Sequence, residues 1–320
     1  MALSSFMIRK ILGNPREALR VLRVSNELSR YIVWRLYLTL DENGFLGMLQ
    51  EQPWWKFADR DLARWVCDIL VEEGYAKWMG DTIKVTGKPE HPTITTKEAA
   101  DLVPVIERAM ASIPKVLLTG EKPNLAAERA AYAKVIGNLA YRLMIEVTVK
   151  ETGLNELNEN NVIVDVLSRI GTSTMVLLET TRARIISVDP YRDNILVQEH
   201  ALKVAGQADR VKLIQSAPEE LELPEKADAV FMADILHWTP NPRLALNRAH
   251  KCILEDGFLS MIQSTYSSAG LVTCLPDYLL GAYRAPPTSR ELRESLRNSG
   301  FKIEKWTEAF GIVIVKAKPV

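Results

Sequence analysis

The sequence predicts a doubly wound α/β domain with a mainly parallel sheet, preceded by a helical domain. Two observations carry this. From about Asn160 onward, five short apolar runs alternate with helical segments, which is the signature of a parallel sheet covered on both faces. Before Thr152 no such run occurs; the chain there reads as amphipathic helices and one small hairpin. A length of 320 residues suits two domains, and 47% hydrophobic content supplies a sizeable core. The 40 basic and 40 acidic side chains cancel, which argues against a polybasic nucleic-acid binder. No run approaches a membrane span. In Met1 to Leu12 the cations follow the apolar residues, the wrong order for a secretory signal. Cys67, Cys252 and Cys274 show no metal or redox spacing, so a cytoplasmic protein with three reduced, buried thiols is expected, with no metal.

The first stretch, residues 1–94, holds Trp34, Trp54, Trp55, Trp65 and Trp78. Pro15 to Leu40 reads as one or two helices, with Leu28, Ile32 and Leu36 four apart. A clearer helix follows. Asp59 or Asp61 caps it, Leu62, Trp65, Val66, Ile69 and Leu70 form its apolar face, and Gly74 stands at its stop. Tyr75 to Thr86 forms a hairpin around Gly80-Asp81. Helices followed by a hairpin indicate a winged-helix module. Its candidate recognition helix sets Arg60 and Arg64 against Asp61, Asp68, Glu72 and Glu73, a net negative surface unsuited to phosphate. Dimerisation or substrate capping fits the tryptophans better.

Residues 95–158 read as a helical connector, with helices over Lys97 to Leu117 and Ala126 to Lys150 broken at Gly120 to Pro123. Residues 159–320 hold the sheet. Its strands are Asn161 to Val166, Ala183 to Asp189, Val211 to Ile214, Ala227 to Met232 and Gly257 to Ile262. Helix Ser289 to Ser299 and two antiparallel edge strands, Lys302 to Trp306 and Ile312 to Lys316, complete it.

Ligand chemistry in such a sheet sits at the carboxyl ends of the strands. Those ends read Asp165-Val166-Leu167-Ser168-Arg169-Ile170-Gly171, then Asp189, then Ser216-Ala217, then Ala233-Asp234-Ile235-Leu236-His237-Trp238. In order and spacing this half of the chain resembles the class I S-adenosylmethionine-dependent methyltransferases, with a Rossmann-like domain. The N-terminal stretch resembles the winged-helix domain of the small-molecule O-methyltransferases.

The resemblance implies S-adenosyl-L-methionine as cofactor, a small-molecule acceptor and a homodimer formed through the N-terminal domain. It carries over residue by residue. Asp165 matches the acid of the first motif and Gly171 its third glycine, whereas Leu167 and Arg169 stand where the first two glycines belong. Asp189 matches the acid that accepts from the ribose hydroxyls, Ser216 the adenine position, and Asp234 the turn beside the methionine portion, where helix capping is the competing role. The histidine base of the plant-type O-methyltransferases is absent; Gln263-Ser264-Thr265-Tyr266 stands there. His237 and Tyr266 are the candidate catalytic groups. Tyr266, Tyr278 and Tyr283 either line an acceptor pocket or belong to the core; His91, His200 and His250 read as solvated. Two other functions remain open: a non-catalytic binding or assembly protein on this fold, and a winged-helix DNA-binding regulator.

Overall fold

The computed structural model describes residues 15–137 and 140–320, so the reading of Met1 to Leu12 lies outside the described residues. The chain divides into two compact units. One comprises the described residues of Asn14–Val135 with Tyr266–Ala285; the other comprises those of Ile136–Thr265 with Pro286–Val320. The division falls inside the stretch read as a connector. Among the described residues no helix is long and apolar enough to cross a membrane.

In the first unit the Leu28–Ile32–Leu36 spacing gives a single helix, α1 (Pro15–Glu42), with these three leucine and isoleucine side chains buried. After α2 (Phe45–Glu51) comes α3 (Arg60–Glu72). Asp59 is its N-cap, accepting the Leu62 N–H at 2.9 Å, and Gly74 closes it at φ 81°. The expected hairpin forms from β1 (Ala76–Met79) and β2 (Thr82–Val85), paired antiparallel. Trp65 is core rather than surface: it is buried on α3, and its indole N–H donates to the Leu271 carbonyl at 2.9 Å.

The first of the two long helices expected next is interrupted. Lys97 to Leu117 is α4 (Lys97–Met110) and α5 (Ile113–Thr119), because the chain turns at Ala111-Ser112 and Ser112 donates its hydroxyl back to the Ala109 carbonyl. The second stretch gives α6 (Ala126–Gly137) and α7 (Ala140–Thr152).

The second unit is built on a seven-stranded sheet. The strands are β3 (Val162–Val166), β4 (Arg184–Asp189), β5 (Val211–Gln215), β6 (Ala227–Ala233), β7 (Ile253–Ser264), β8 (Phe301–Ala309) and β9 (Ile312–Pro319), in the order β5-β4-β3-β6-β7-β9-β8. The first five in that order are parallel; β9 and β8 form an antiparallel hairpin on the edge. Helices α8 (Thr172–Thr180), α9 (Arg192–Val204), α10 (Pro242–Cys252) and α12 (Ser289–Asn298) belong to this unit, while α11 (Ser268–Leu279) returns to the first.

Strand alternation splits the core into two layers. Val164, Val230 and Met232 pack with Leu246, Leu292 and Leu296 on one face. Ile163, Ala229 and Phe231 pack with Val176, Leu177 and Leu202 on the other. Strand β7 starts four residues before the expected Gly257, pairing Ile253 with Ala227 across an irregularity. Gly257 is required there, since a Cβ would lie 2.6 Å from the Asp228 carbonyl oxygen. Cys67, Cys252 and Cys274 form no disulfide with one another and are buried, as expected. His250, expected to be solvated, instead packs edge-on to Phe301 at 5.2 Å.

The α3 cap generates a stability prediction. Asp59→Ala removes the cap and also an acceptor of the Tyr278 hydroxyl, which donates to Asp59 Oδ2 at 2.6 Å. It should destabilise the chain by about 1–2 kcal/mol in urea unfolding, with Asp59→Asn losing less. Equal stability of wild type and Asp59→Ala would remove this role.

Candidate functional site

The strand order reverses between β3 and β6, because the chain runs outward from β3 through β4 to β5 and then returns to β6. A reversal leaves a crevice outside the carboxyl ends, where ligands of such sheets bind. The loop after β3 and the turn after β6 meet there.

Both are strained. Among the described residues, four non-glycine residues have left-handed backbone: Leu167 (φ 55°), Arg169 (φ 55°), Asp234 (φ 57°) and Phe310. Three of these four lie at the reversal. Each left-handed side-chain-bearing residue costs about 1–3 kcal/mol and persists only where surrounding bonds hold it. Those bonds are explicit. The Arg169 N–H donates to Asp189 Oδ2 at 2.8 Å, and the Ser168 N–H donates to the Val188 carbonyl at 3.1 Å. Gln198, reaching from α9, donates to Ser168 Oγ at 2.9 Å and to the Arg169 carbonyl at 2.7 Å, while Ser187 donates to Gln198 Oε1 at 2.7 Å. Asp165, Ser168, Ser187, Asp189 and Gln198 are all buried.

Asp165 is fully buried and accepts the Ser173 and Thr174 hydroxyls on Oδ2, both at 2.7 Å. Burial lifts its carboxyl to about 6, against the pull of those hydroxyls and with help from the charge of Asp189. Gly171 has φ 89°, and a Cβ there would lie 2.8 Å from Gln198 Cγ. This glycine therefore serves the packing of α9 against the loop.

Asp189 accepts the Tyr191 N–H at 2.9 Å and the Asn194 amide at 3.0 Å on Oδ1, besides Arg169 on Oδ2. Burial raises its pKa, and these donors oppose the rise. The Ser216 N–H donates to the Asp189 carbonyl at 3.1 Å, so Ser216 stands beside Asp189, with its hydroxyl turned to the Ala217 carbonyl.

On the other side of the crevice, Asp234 caps the end of β7 rather than a helix. Its carboxylate accepts the Ser264 N–H at 2.8 Å and the Gln263 amide at 3.0 Å on Oδ1, and the Ser264 hydroxyl on Oδ2. His237 is buried in a short turn, Leu236–Trp238, with Nδ1 3.2 Å from Gln263 Nε2 and 3.8 Å from Asp234 Oδ1. The Gln263 side chain thus takes up the space beside His237. Tyr266 belongs to the first unit, where its hydroxyl donates to Asp68 at 2.7 Å; burial and that carboxylate push its pKa well up.

Two groups define the crevice: Arg169, which the sequence placed at a glycine position, and Tyr141, which it did not single out. The Arg169 guanidinium donates to the Asp234 carbonyl at 3.1 Å and lies 4.8 Å from the Trp238 ring and 5.9 Å from the Tyr141 ring. Tyr141, on the first turn of α7, donates its hydroxyl to the Ala233 carbonyl at 2.6 Å. Asp165 Oδ1 and Trp238 Nε1 are buried polar atoms with no hydrogen-bond partner among the described residues.

A pH prediction follows from Asp165. Between about pH 4 and pH 6 the folded chain keeps a proton on Asp165 that the unfolded chain has released, so stability attributable to this group falls as pH rises. Above that window the penalty is on the order of 2–3 kcal/mol. The stability difference between wild type and Asp165→Asn, measured by urea unfolding, should therefore shift against wild type from pH 4 to pH 7. A difference that stays flat contradicts the assignment.

Comparison with known proteins agrees with this geometry. A family model described as a methyltransferase domain matches residues 164–259, from β3 into β7. No curated protein sequence matches the chain. Among solved structures, the CurJ carbon methyltransferase aligns with a TM-score of 0.68 at 15% identity, covering 98% of this chain and 96% of that one. The CMeT domain of the citrinin polyketide synthase aligns at 0.65 and 15% identity, covering 96% and 92%. The mitomycin 7-O-methyltransferase MmcR aligns at 0.56 and 16%, covering 98% and 100%. At these identities the likeness is one of fold, and the N-terminal helical domain resembles that of O-methyltransferases such as MmcR. A methyltransferase domain model thus matches the sheet-bearing half over residues 164–259, the fold of that half is shared with solved methyltransferases, and these likenesses imply S-adenosylmethionine as the cofactor.

Proposed function

We propose that this protein transfers a methyl group from S-adenosylmethionine to a small-molecule acceptor. The observation that carries the reading is the convergence of Leu167, Arg169 and Asp234, all left-handed, on the crevice beside Asp189. A frame held at that cost, where the strand order reverses, points to a ligand.

The residues present fit the cofactor chemically. The crevice already holds a cation, the Arg169 guanidinium, on a backbone carbonyl and two aromatic faces. S-adenosylmethionine brings cationic groups of its own, and its sulfonium supplies the transferable methyl. Asp189 and the neighbouring Ser216 would hold the ribose and adenine side; the Asp234 carbonyl, Trp238 and Tyr141 would hold the cationic side. Asp165 and Gly171 act through the loop, fixing its backbone. His237, buried with Nδ1 3.2 Å from Gln263 Nε2, orients the turn after β6.

The order α1–α2–α3–β1–β2 supports a winged-helix capping domain. Exposed Leu19 and Leu22 on α1 support self-association through it as a homodimer. Three buried cysteines in the reduced state support a cytoplasmic setting. On α3, Arg64 pairs with Asp68 and stacks on Trp54 and Trp78, which weighs against a DNA-binding surface. A second reading, a binding or assembly protein on the same fold, is favoured by Leu167 and Arg169 at glycine positions and by Gln263 in place of a base.

Incubation with methyl-labelled S-adenosylmethionine and a cell extract separates these readings. Label is expected in a small molecule separable from S-adenosylmethionine, and only when the protein is added. Label confined to macromolecules contradicts the acceptor class, and cofactor binding without any label transfer supports the second reading.

A further inference from the structure

The crevice at the strand reversal already has an occupant supplied by the chain itself. Arg169 is half-buried, with left-handed backbone, its guanidinium on the Asp234 carbonyl, 4.8 Å from the Trp238 ring and 5.9 Å from the Tyr141 ring. A guanidinium is always charged, and a carbonyl flanked by aromatic faces is a cation subsite. The loop cannot carry the side chain away as a unit. Its backbone is fixed by Asp189 at the Arg169 N–H and by Gln198 at the Arg169 carbonyl. Only the side-chain torsions of Arg169 can clear the subsite.

From this geometry we infer that Arg169 is an internal plug that competes with the cofactor for the cationic subsite, so that cofactor binds only when the guanidinium leaves the Asp234 carbonyl. The inference rests on the methyltransferase reading above and adds a constraint to it. One carbonyl and one pair of ring faces cannot hold two cations at once. When the binding-competent state is only a fraction of the population, the apparent dissociation constant is raised by the reciprocal of that fraction. A plug closed nine-tenths of the time weakens binding about tenfold, and one closed 99 parts in 100 about a hundredfold. The loop would then keep the fold's backbone path while setting how readily the site loads.

Isothermal titration of S-adenosylhomocysteine into wild type, Arg169→Ala and Arg169→Gly tests this. Arg169→Ala keeps the Cβ and the left-handed strain but removes the guanidinium, so it isolates the plug. It should bind at least about tenfold more tightly than wild type. Arg169→Gly also relieves the strain and should bind at least as tightly as Arg169→Ala. Thermal melts establish that each variant is folded; if either fails, Arg169→Lys, which keeps the charge and loses the planar stack, should show an intermediate gain. Wild-type binding with equal or weaker binding by Arg169→Ala overturns the plug and leaves the methyltransferase reading standing. No binding by wild type or either variant at millimolar ligand overturns both. Silence in wild type with binding by Arg169→Ala supports the plug in its tightest form.

Discussion

The site depends on one short hydrogen bond, from the Arg169 main-chain N–H to the Asp189 carboxylate at 2.8 Å. It ties the loop leaving β3 to the end of β4 and sets the backbone from which Arg169 enters the crevice. Asp189 is buried, so its charge is met by protein donors: Arg169, Tyr191 and Asn194. A carboxylate in that setting binds its donors strongly and loses much if any is removed. The bond therefore holds Arg169 at φ 55° although an unstrained side-chain-bearing residue would turn the other way. Gln198 supports the same loop from α9, and the missing Cβ of Gly171 is what lets Gln198 come so close.

This arrangement changes what a degenerate glycine motif means. Loss of two glycines would be expected to let the loop relax into right-handed backbone. It does not, because the loop is over-determined by buried bonds on both of its sides. The backbone path is kept and the cost is borne as strain, while the side chains occupy space that glycines would leave open. Leu167 turns into the core layer with Val164, Val166 and Val188. Arg169 turns into the crevice, where carbonyl and aromatic groups already suit a cation.

Much of the fold was legible because its signals are local. The Asp59 cap, the Gly74 stop and the turn at Gly80 depend on a few consecutive residues, as do the apolar strand runs and the edge hairpin. The break at Ala111-Ser112 was not legible, since the segment keeps helical spacing on both sides of it. The acids Asp165, Asp189 and Asp234 were legible from their places at strand ends. Their neighbours were not. Gln198 is an ordinary helix residue until Gly171 is brought beneath it, and Tyr141 meets the Ala233 carbonyl across 92 positions of sequence. No spacing rule connects such pairs; only the sheet topology does. The role of Gly171 also reads differently in space, as room for Gln198.

The central claim is that the cationic subsite at the β3–β6 reversal is shared by Arg169 and the cofactor. A crystal structure of the protein with S-adenosylhomocysteine tests it most directly. The account predicts ligand at the carboxyl ends of β3, β4 and β6, beside Asp189, with the Arg169 guanidinium withdrawn from the Asp234 carbonyl and the loop backbone unmoved. Ligand bound there with Arg169 still on that carbonyl would contradict it.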